Sequence, residues 1–580
     1  MKFMHFFERK ISGRSYRLAA ESTWDPIAKR SVARQVVLGP ADPSLVLDLA
    51  DAEKVGTKRV GDIGALLWVA EQLDVVGAIN RVCRDVHPAG DVSLGEMVLA
   101  VALQRACAPG PKRDLAGFLS DSLPLICCLP SGVFTGQAFH RLATRVSSEL
   151  LDEVQIELAG AAVRRFKLST SVLAFDTTNF DTHIATTTSG DLAKRGHAKS
   201  KRSDLRVVGL GLLASETGHV PLLHRTYPGN GSDQGVLGEC MDALGRLHDT
   251  MDQAQDRRQP AARTLVRDGG FWSEQLELEL EFTGYYSIIS LPLCHGASQW
   301  ALGEAAKRGA MRRLKGRYAD VRAARFRTKV GKDLDRTLVV VESKELLEGQ
   351  KRGIKAALAK ARVELTKLEA RVAKGNITKS RLEECVKHAL RVEHLASFVV
   401  TQIAGQDANP TFSWHVDASR RRELEQTRLG RRVLCTDRHT WATERIVHGF
   451  RGQWNVEELF RRAKGGGIVP WGPSHQWVDA SLRLHTFATV LGLMLVSLAR
   501  LALGSSSSTK AFMEMLGAIE ATVVKPYTGR KGRPPTGLVR PTLNADQRRA
   551  VEIFELARWM PALSSSSAKR RGTSAGGEAA

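Results

Sequence analysis

The chain has 580 residues, 43% of them apolar and 25% charged, which suits a folded protein of several domains and excludes a collagen-like or wholly disordered one. With 84 Lys+Arg against 62 Asp+Glu, the net charge is +22, an excess that favours a polyanionic partner, nucleic acid first. A generally basic proteome or a single basic tail is the plainer explanation of the same charge. Eight cysteines without a CxxC pair give neither a zinc site nor a disulfide framework, so a reducing compartment is expected.

The opening stretch, MKFMHFFERKISGRSYRLAAES, is charged throughout and lacks the apolar centre of a signal peptide. Short alternating runs such as RQVVLG suggest a small β-rich lead-in over residues 1–60. From 61 to 166 the pattern turns helical, as in IGALLWVAEQLDVVGAIN, LGEMVLAVALQRACAPG and SSELLDEVQIELAGAAVRRF. This helical stretch is either a DNA-reading domain or scaffold, because it shows no clean helix-turn-helix.

Strands take over near residue 171. SVLAFDTTNFDTH is an apolar run reaching an acid, and LRVVGLGLLAS with HVPLLHRTY makes a strand pair around a turn at Glu216 and Gly218. A helix follows over 235–253. RTLVRDGGFW then reads as a strand ending on Asp268 and a Gly-Gly turn, EQLELELEFTG as a helix, and YYSIISLP as another strand. Strands and helices in this alternation predict an α/β core.

Within 344–399 lies a heptad-like series, Ile354, Leu358, Ala361, Leu365, Leu368 and Val372, resuming after Gly375 and Asn376 with Leu382, Val386 and Ala389. This predicts an antiparallel helical hairpin, a structural arm in the plain reading and a dimerisation element in the sharper one. RTLVVVES before it and RRVLCTD after it read as strands, so the whole resembles an insertion of strands plus a helical arm. The apolar run TFATVLGLMLVSLA, 486–499, is short for a bilayer and reads as a buried helix. The tail from 504, with two SSSS runs, GRKGRPP and AKRRGTSAGG, reads as largely flexible and basic, broken by one short helix over 545–559.

Three acids carry the chemical argument. Asp176 is expected at or near the end of a buried strand, Asp268 at the end of a second, and Glu457 on a later helix within FRGQWNVEELFRRAKGGG, 450–467. On one continuous helix Gln453, Glu457, Arg461 and Lys464 would share a face, while Trp454, Val456, Leu459, Phe460 and Ala463 form the apolar surface. Glu458 points elsewhere and can pair with Arg462. A carboxylate at the end of an apolar strand is costly unless solvated, paired or cation-bound. Three of them converging would suit Mg²⁺ or Mn²⁺ and phosphoryl transfer. Taken singly, an Asp after a strand is more often a turn residue or helix cap. Asp181 stands as the alternative ligand to Asp176.

The chain resembles the DDE transposases of bacterial insertion sequences, in the branch with a long insertion before the third acid and a Tyr-x2-Arg-x3-Glu-x6-Lys signature around it. The matching positions are Phe450, Gln453, Glu457 and Lys464. FDTTNF around Asp176 matches the first acid and VRDGGF around Asp268 the second. GHAKSKRSDLRVVGLGLL (196–213) and GNGSD (229–233) resemble two further stretches of the family. The 189 residues between Asp268 and Glu457, against 92 between the first two acids, leave room for the insertion.

The resemblance implies a ribonuclease-H-like mixed-sheet core in two parts, 167–300 and 441–503. An insertion with a helical hairpin would occupy 301–440, the helical domain would precede the core, and a basic tail at 504–580 would close the chain. It implies metal-dependent cleavage at insertion-sequence ends and strand transfer into target DNA. Asp176, Asp268 and Glu457 would be catalytic metal ligands for two Mg²⁺ or Mn²⁺ ions. Lys464, Arg461, Arg451, Gln453, Lys199 and Arg202 would contact DNA, with Trp272 a base-stacking alternative to a core tryptophan. The implied partners are double-stranded transposon ends and target in a homodimer without membrane, in the cytoplasm at the nucleoid. Phe450 lacks the family tyrosine's hydroxyl, and Gln453 lacks an arginine's bidentate grip. A catalytically weakened DNA-binding protein is therefore one alternative, and a metal-dependent nuclease using the same three acids is another.

Overall fold

The computed structural model describes residues 4–11, 14–25, 30–40, 52–129, 134–526, 537–539 and 542–560. Strands β1 (Met4–Ile11), β2 (Arg14–Asp25) and β3 (Arg30–Pro40) form an antiparallel sheet. β4 (Ala52–Arg59) does not join them. It pairs with β16 (Glu520–Pro526), whose other edge carries β17 (Gly537–Val539), so the expected lead-in is tied to the end of the chain.

Seven α-helices run from Gly61–Gln72 to Ser148–Phe166. Their starts follow the sequence: Ser93 and Glu96 form a reciprocal capping box at Leu94–Cys107, and Thr135 and Ser147 cap the last two. The Leu94–Cys107 helix is buried from Leu94 to Ala106 and packs along Asp479–Leu503. The latter is 25 residues long and apolar enough by composition to cross a membrane, yet 83% of its apolar window is buried inside the protein. A helix apolar on every face needs cover on every face, and here protein supplies it.

The central element is a nine-stranded sheet. β5 (Val172–Thr182), β6 (Arg206–Ser215) and β7 (Pro221–Pro228) are antiparallel neighbours. β8 (Arg263–Arg267) lies parallel beside β5, and β9 (Tyr285–Leu291) parallel beside β8. The sheet continues through β10 (Arg312–Arg313), β11 (Val321–Val330), β12 (Leu334–Ser343) and β15 (Arg431–Thr436), in the order β10-β11-β12-β15-β9-β8-β5-β6-β7. RTLVVVES and RRVLCTD, expected within the insertion, are thus β12 and β15 of the main sheet. Their apolar residues are buried because β15 sits between β12 and β9.

What loops out between β12 and β15 is helix Lys344–Ala373, helix Lys379–Ala389, the hairpin β13 (Val399–Gln406) and β14 (Asn409–Val416), and helix Ala418–Thr427. Ile354, Leu358, Ala361, Leu365 and Leu368 pack with Leu382, Val386, Ala389, Phe398 and Leu424 into a second core, separate from that of the sheet. The heptad seam is therefore filled by this chain's own residues. Each fully buried leucine or isoleucine there is worth about 1.5–3 kcal/mol. Of the tail, Thr509–Gly517, β16 and Ala545–Ile553 are regular elements. GRKGRPP and AKRRGTSAGG lie outside the described residues.

Candidate active site

Asp176 lies inside β5, not at its end. The strand runs on through TTNFDT because the ladder with β6 continues from Asp176 opposite Leu212 to Thr182 opposite Arg206. Alternation buries Phe175 and Thr177 and leaves the Asp176 side chain half-buried. Its Oδ1 accepts the Thr177 N–H at 2.7 Å.

Asp268 directly follows β8 and caps the tight turn Gly269–Phe271, its Oδ1 accepting the Gly269 N–H at 2.8 Å. Position 269 tolerates only glycine, since a Cβ would fall 2.4 Å from the Ser290 carbonyl oxygen. Phe271 then anchors the turn by packing edge-on against Phe175, ring centres 5.5 Å apart. The residue before one acid thereby holds the turn that carries another.

The segment bearing Glu457 is not one continuous helix. Helix Thr443–Arg451 ends at Gly452, and a second helix, Trp454–Ala463, starts with Gln453 as its cap and closes at Lys464 before three glycines. Val456, Leu459, Phe460 and Ala463 are buried as expected, whereas Trp454 is 51% exposed and touches the His219 ring edge-on at 5.0 Å. Glu458 takes both cations of this helix, Arg461 at 2.7 Å and Arg462 at 3.2 Å. Arg461 thus serves Glu458 rather than Glu457, and among the described residues Glu457 makes no ion pair. Arg462 also reaches Ser497 Oγ at 3.3 Å, and Ser497 donates to the His219 carbonyl at 2.8 Å, which fastens the helix to Asp479–Leu503.

Asp268 and Glu457 both act on Asp176. Burial pushes the Asp176 carboxyl up to about 6, and the negative charges of Asp268 and Glu457 push the same way, against Lys199 and the Thr177 N–H. Lys464 is held below the usual lysine range by burial and by the charge of Lys199, with Asp176 and Asp181 opposing. Asp176, Asp268, Glu457, Lys199 and Lys464 therefore share one neighbourhood. Oxygen donors with neither thiol nor imidazole among them match a hard divalent cation. Among the described residues no three His, Cys, Asp or Glu side chains are drawn together closely enough to enclose an ion. The donor set fits Mg²⁺ or Mn²⁺ by chemistry, in an open arrangement.

The remaining expected residues fall into two groups. Lys199 is fixed beside Asp176: its Nζ donates to the Thr177 carbonyl, and its N–H to Asn179 Oδ1 at 3.0 Å. Arg451 and Arg461 are exposed, Arg451 lying 4.8 Å over the Tyr318 ring. Gln453 is 8% exposed, and so is not a surface contact; it sits at the junction of two helices packed on the sheet. Arg202 is exposed and paired with Asp204 through contacts of 2.7 and 2.5 Å. Trp272 is partly buried against the core, as the plainer reading of it required. His485 is fully enclosed between Lys112 Nζ at 3.0 Å and the Trp471 carbonyl at 2.8 Å.

Sequence reading gave no role to Asp233, the last residue of GNGSD. It accepts the Thr177 hydroxyl at 2.6 Å, immediately behind Asp176. The small-residue turn before it was the available signal.

No protein-family model and no curated protein matches the chain. Among solved structures it is similar to a piggyBac transposase synaptic complex with hairpin DNA, seen by cryo-electron microscopy. The TM-score is 0.36 at 9% identity, over 79% of this chain and 78% of that one.

Proposed function

We propose that this chain is a divalent-cation-dependent enzyme acting on DNA phosphodiesters from a ribonuclease-H-like core. Within that class we read it as a DDE transposase of the insertion-sequence type, cutting element ends and joining them to target DNA. The observation that carries the reading is the placement of the three acids. Asp176 is within β5, Asp268 follows the adjacent parallel strand β8, and Glu457 rides a helix packed over β5 and β6. Within the nine-stranded sheet the strands β7-β6-β5-β8-β9, three antiparallel and then two parallel, support the reading of such a core. A net charge of +22 suits the substrate.

Asp176, Asp268 and Glu457 would hold one or two Mg²⁺ or Mn²⁺ ions. Bound there, these ions supply activation of the attacking oxygen and charge stabilisation at the leaving oxygen. Lys464 and Lys199 stand on the same side as the acids and present ammonium groups to a phosphate, with the exposed Arg451 and Arg461 further along the two helices. The substrate is double-stranded DNA, engaged by two copies of the chain so that both ends are processed together, at the nucleoid.

The test is cleavage and joining on labelled duplexes taken from the DNA flanking the coding sequence, with Mg²⁺, with Mn²⁺ and with chelator. Cation-dependent nicking with joined products supports the transposase reading. Nicking without joining supports a nuclease, and binding without any cut a DNA-binding protein.

A further inference from the structure

The first two side chains of the helix Asp233–Glu239 reach the neighbourhoods of two of the acids, Asp233 bonding to Thr177, the residue after Asp176, and Gln234 to the carbonyl of Trp272, past the Asp268 turn. We infer that Asp233 and Gln234 form a clip that sets the spacing of Asp176 and Asp268. The inference rests on the active-site reading above and adds positioning residues to it.

The Thr177 end of the clip is closely determined. Thr177 is 1% exposed, follows Asp176, and divides its two donors: its N–H goes to Asp176 Oδ1 at 2.7 Å and its hydroxyl to Asp233 Oδ1 at 2.6 Å. The second Asp233 oxygen faces the Asp268 turn, only 3.4 Å from where a Cβ on Gly270 would stand. Gln234 Nε2 donates to the Trp272 carbonyl at 2.8 Å, on the far side of the same turn. Ser232 fixes the start of the helix by accepting the Gly235 N–H at 3.1 Å.

The chemistry follows from the charges. The charge of Asp268 acts unfavourably on the Asp176 carboxylate, and the clip adds a second hold on the Asp268 turn beside the Phe271–Phe175 contact. Asp233 ties the helix to Thr177 through a charge-assisted hydrogen bond, stronger than a neutral one, and Gln234 ties the same helix to the Asp268 turn. Its own negative charge stands behind Asp176 and adds to the local field that attracts a cation. Residues that only orient ligands commonly change metal affinity by about 10–100-fold.

The test uses the full chain and two readouts: Mn²⁺ titrated calorimetrically without DNA, and the Mn²⁺ dependence of nicking. Thr177→Val keeps the branched shape and the backbone donor and removes only the hydroxyl; Thr177→Ser keeps the hydroxyl. Thr177→Val and Asp233→Ala are expected to weaken Mn²⁺ binding about 10-fold. The half-saturating Mn²⁺ for nicking should rise by the same factor, with the rate recovering at saturation, and Thr177→Ser should behave as wild type. Wild-type affinity and Mn²⁺ dependence in Thr177→Val would remove the clip and leave the active-site reading standing. A lower rate that high Mn²⁺ does not restore, with an earlier thermal transition, would make Thr177 merely structural and overturn the clip. A wild-type protein that neither binds Mn²⁺ nor cuts DNA would remove both.

Discussion

Glu457 and Glu458 are neighbours in sequence and opposites in environment. Glu458 is half-buried and holds Arg462 at 3.2 Å and Arg461 at 2.7 Å, whereas Glu457 is exposed, makes no ion pair among the described residues, and bears on Asp176. Substitution should therefore separate chemistry from stability. On the proposed ligand role, Glu457→Gln is expected to lower cation-dependent cleavage at least about 100-fold, with little change in melting. Glu458→Gln should cost about 1–3 kcal/mol, because it weakens the partner of buried Arg462. Nicking rates and thermal melts of the two variants check both halves.

Asp176 sets a second expectation, for the cation-free protein. Its folded pKa, about 6, lies above the ordinary aspartate value near 3.8, so the native state holds a proton more tightly than the unfolded chain. Its contribution to stability is complete below about pH 4 and is lost as the pH rises through 6. Asp176→Asn should then stabilise the apo protein at pH 7–8 by about 1–2 kcal/mol, allowing for its partial exposure, and by nothing near pH 4. Chemical denaturation in chelator at the two pH values measures this.

Lys112 predicts the reverse pH dependence. Burial, aided by the charge of Arg105, pulls its ammonium down to about 7, with His485 Nδ1 as hydrogen-bond partner and the Phe139 ring 4.5 Å away. The unfolded lysine titrates near 10.5, so the folded state is penalised most fully below pH 7, and the penalty fades between 7 and 10.5. Lys112→Met should raise stability by about 1–3 kcal/mol at pH 7. The gain should shrink steadily toward pH 10, as urea midpoints across that range would show.

The strand that carries Asp268 is held from behind by charge. Glu277, 1% exposed, accepts Arg267 at 2.5 Å and Arg336 of β12 at 3.4 Å, both arginines being buried. Replacing one member of such a set leaves a buried charge uncompensated, at about 3–5 kcal/mol. Glu277→Gln should cost that much in a melt and reduce cleavage through Asp268, whereas Glu279, half-buried and bonded to Gln275 at 2.8 Å with no ion pair among the described residues, should tolerate the same change far better.

The sequence made the elements legible wherever local chemistry and tertiary packing agree. The heptad from Ile354 to Leu368 became a helix because its seam meets Leu382 and Val386, and DGG after RTLVR became a capped turn because Asp268 has the Gly269 N–H to accept. Two things were beyond local reading. RTLVVVES and RRVLCTD are strands by pattern, but only long-range pairing shows that they extend the main sheet. Periodicity also carries no mark of the break at Gly452, and it does not tell that Gln453, on the same helix as Glu457, is buried or that Arg461 pairs with Glu458. GNGSD stood out as a motif, but the role of its Asp233 was not legible for a related reason: its partner, Thr177, is 56 residues away in sequence.

The most direct test of the proposed site is strand cleavage of labelled flanking-end DNA by the wild-type chain and by Asp176→Asn, Asp268→Asn and Glu457→Gln, each with Mg²⁺, Mn²⁺ and chelator. Cleavage by wild type with either cation, none with chelator, and a loss of at least about 100-fold in all three variants with DNA binding kept is the predicted result. Cleavage that persists in any one of the three variants, or that proceeds in chelator, would contradict a shared three-carboxylate centre.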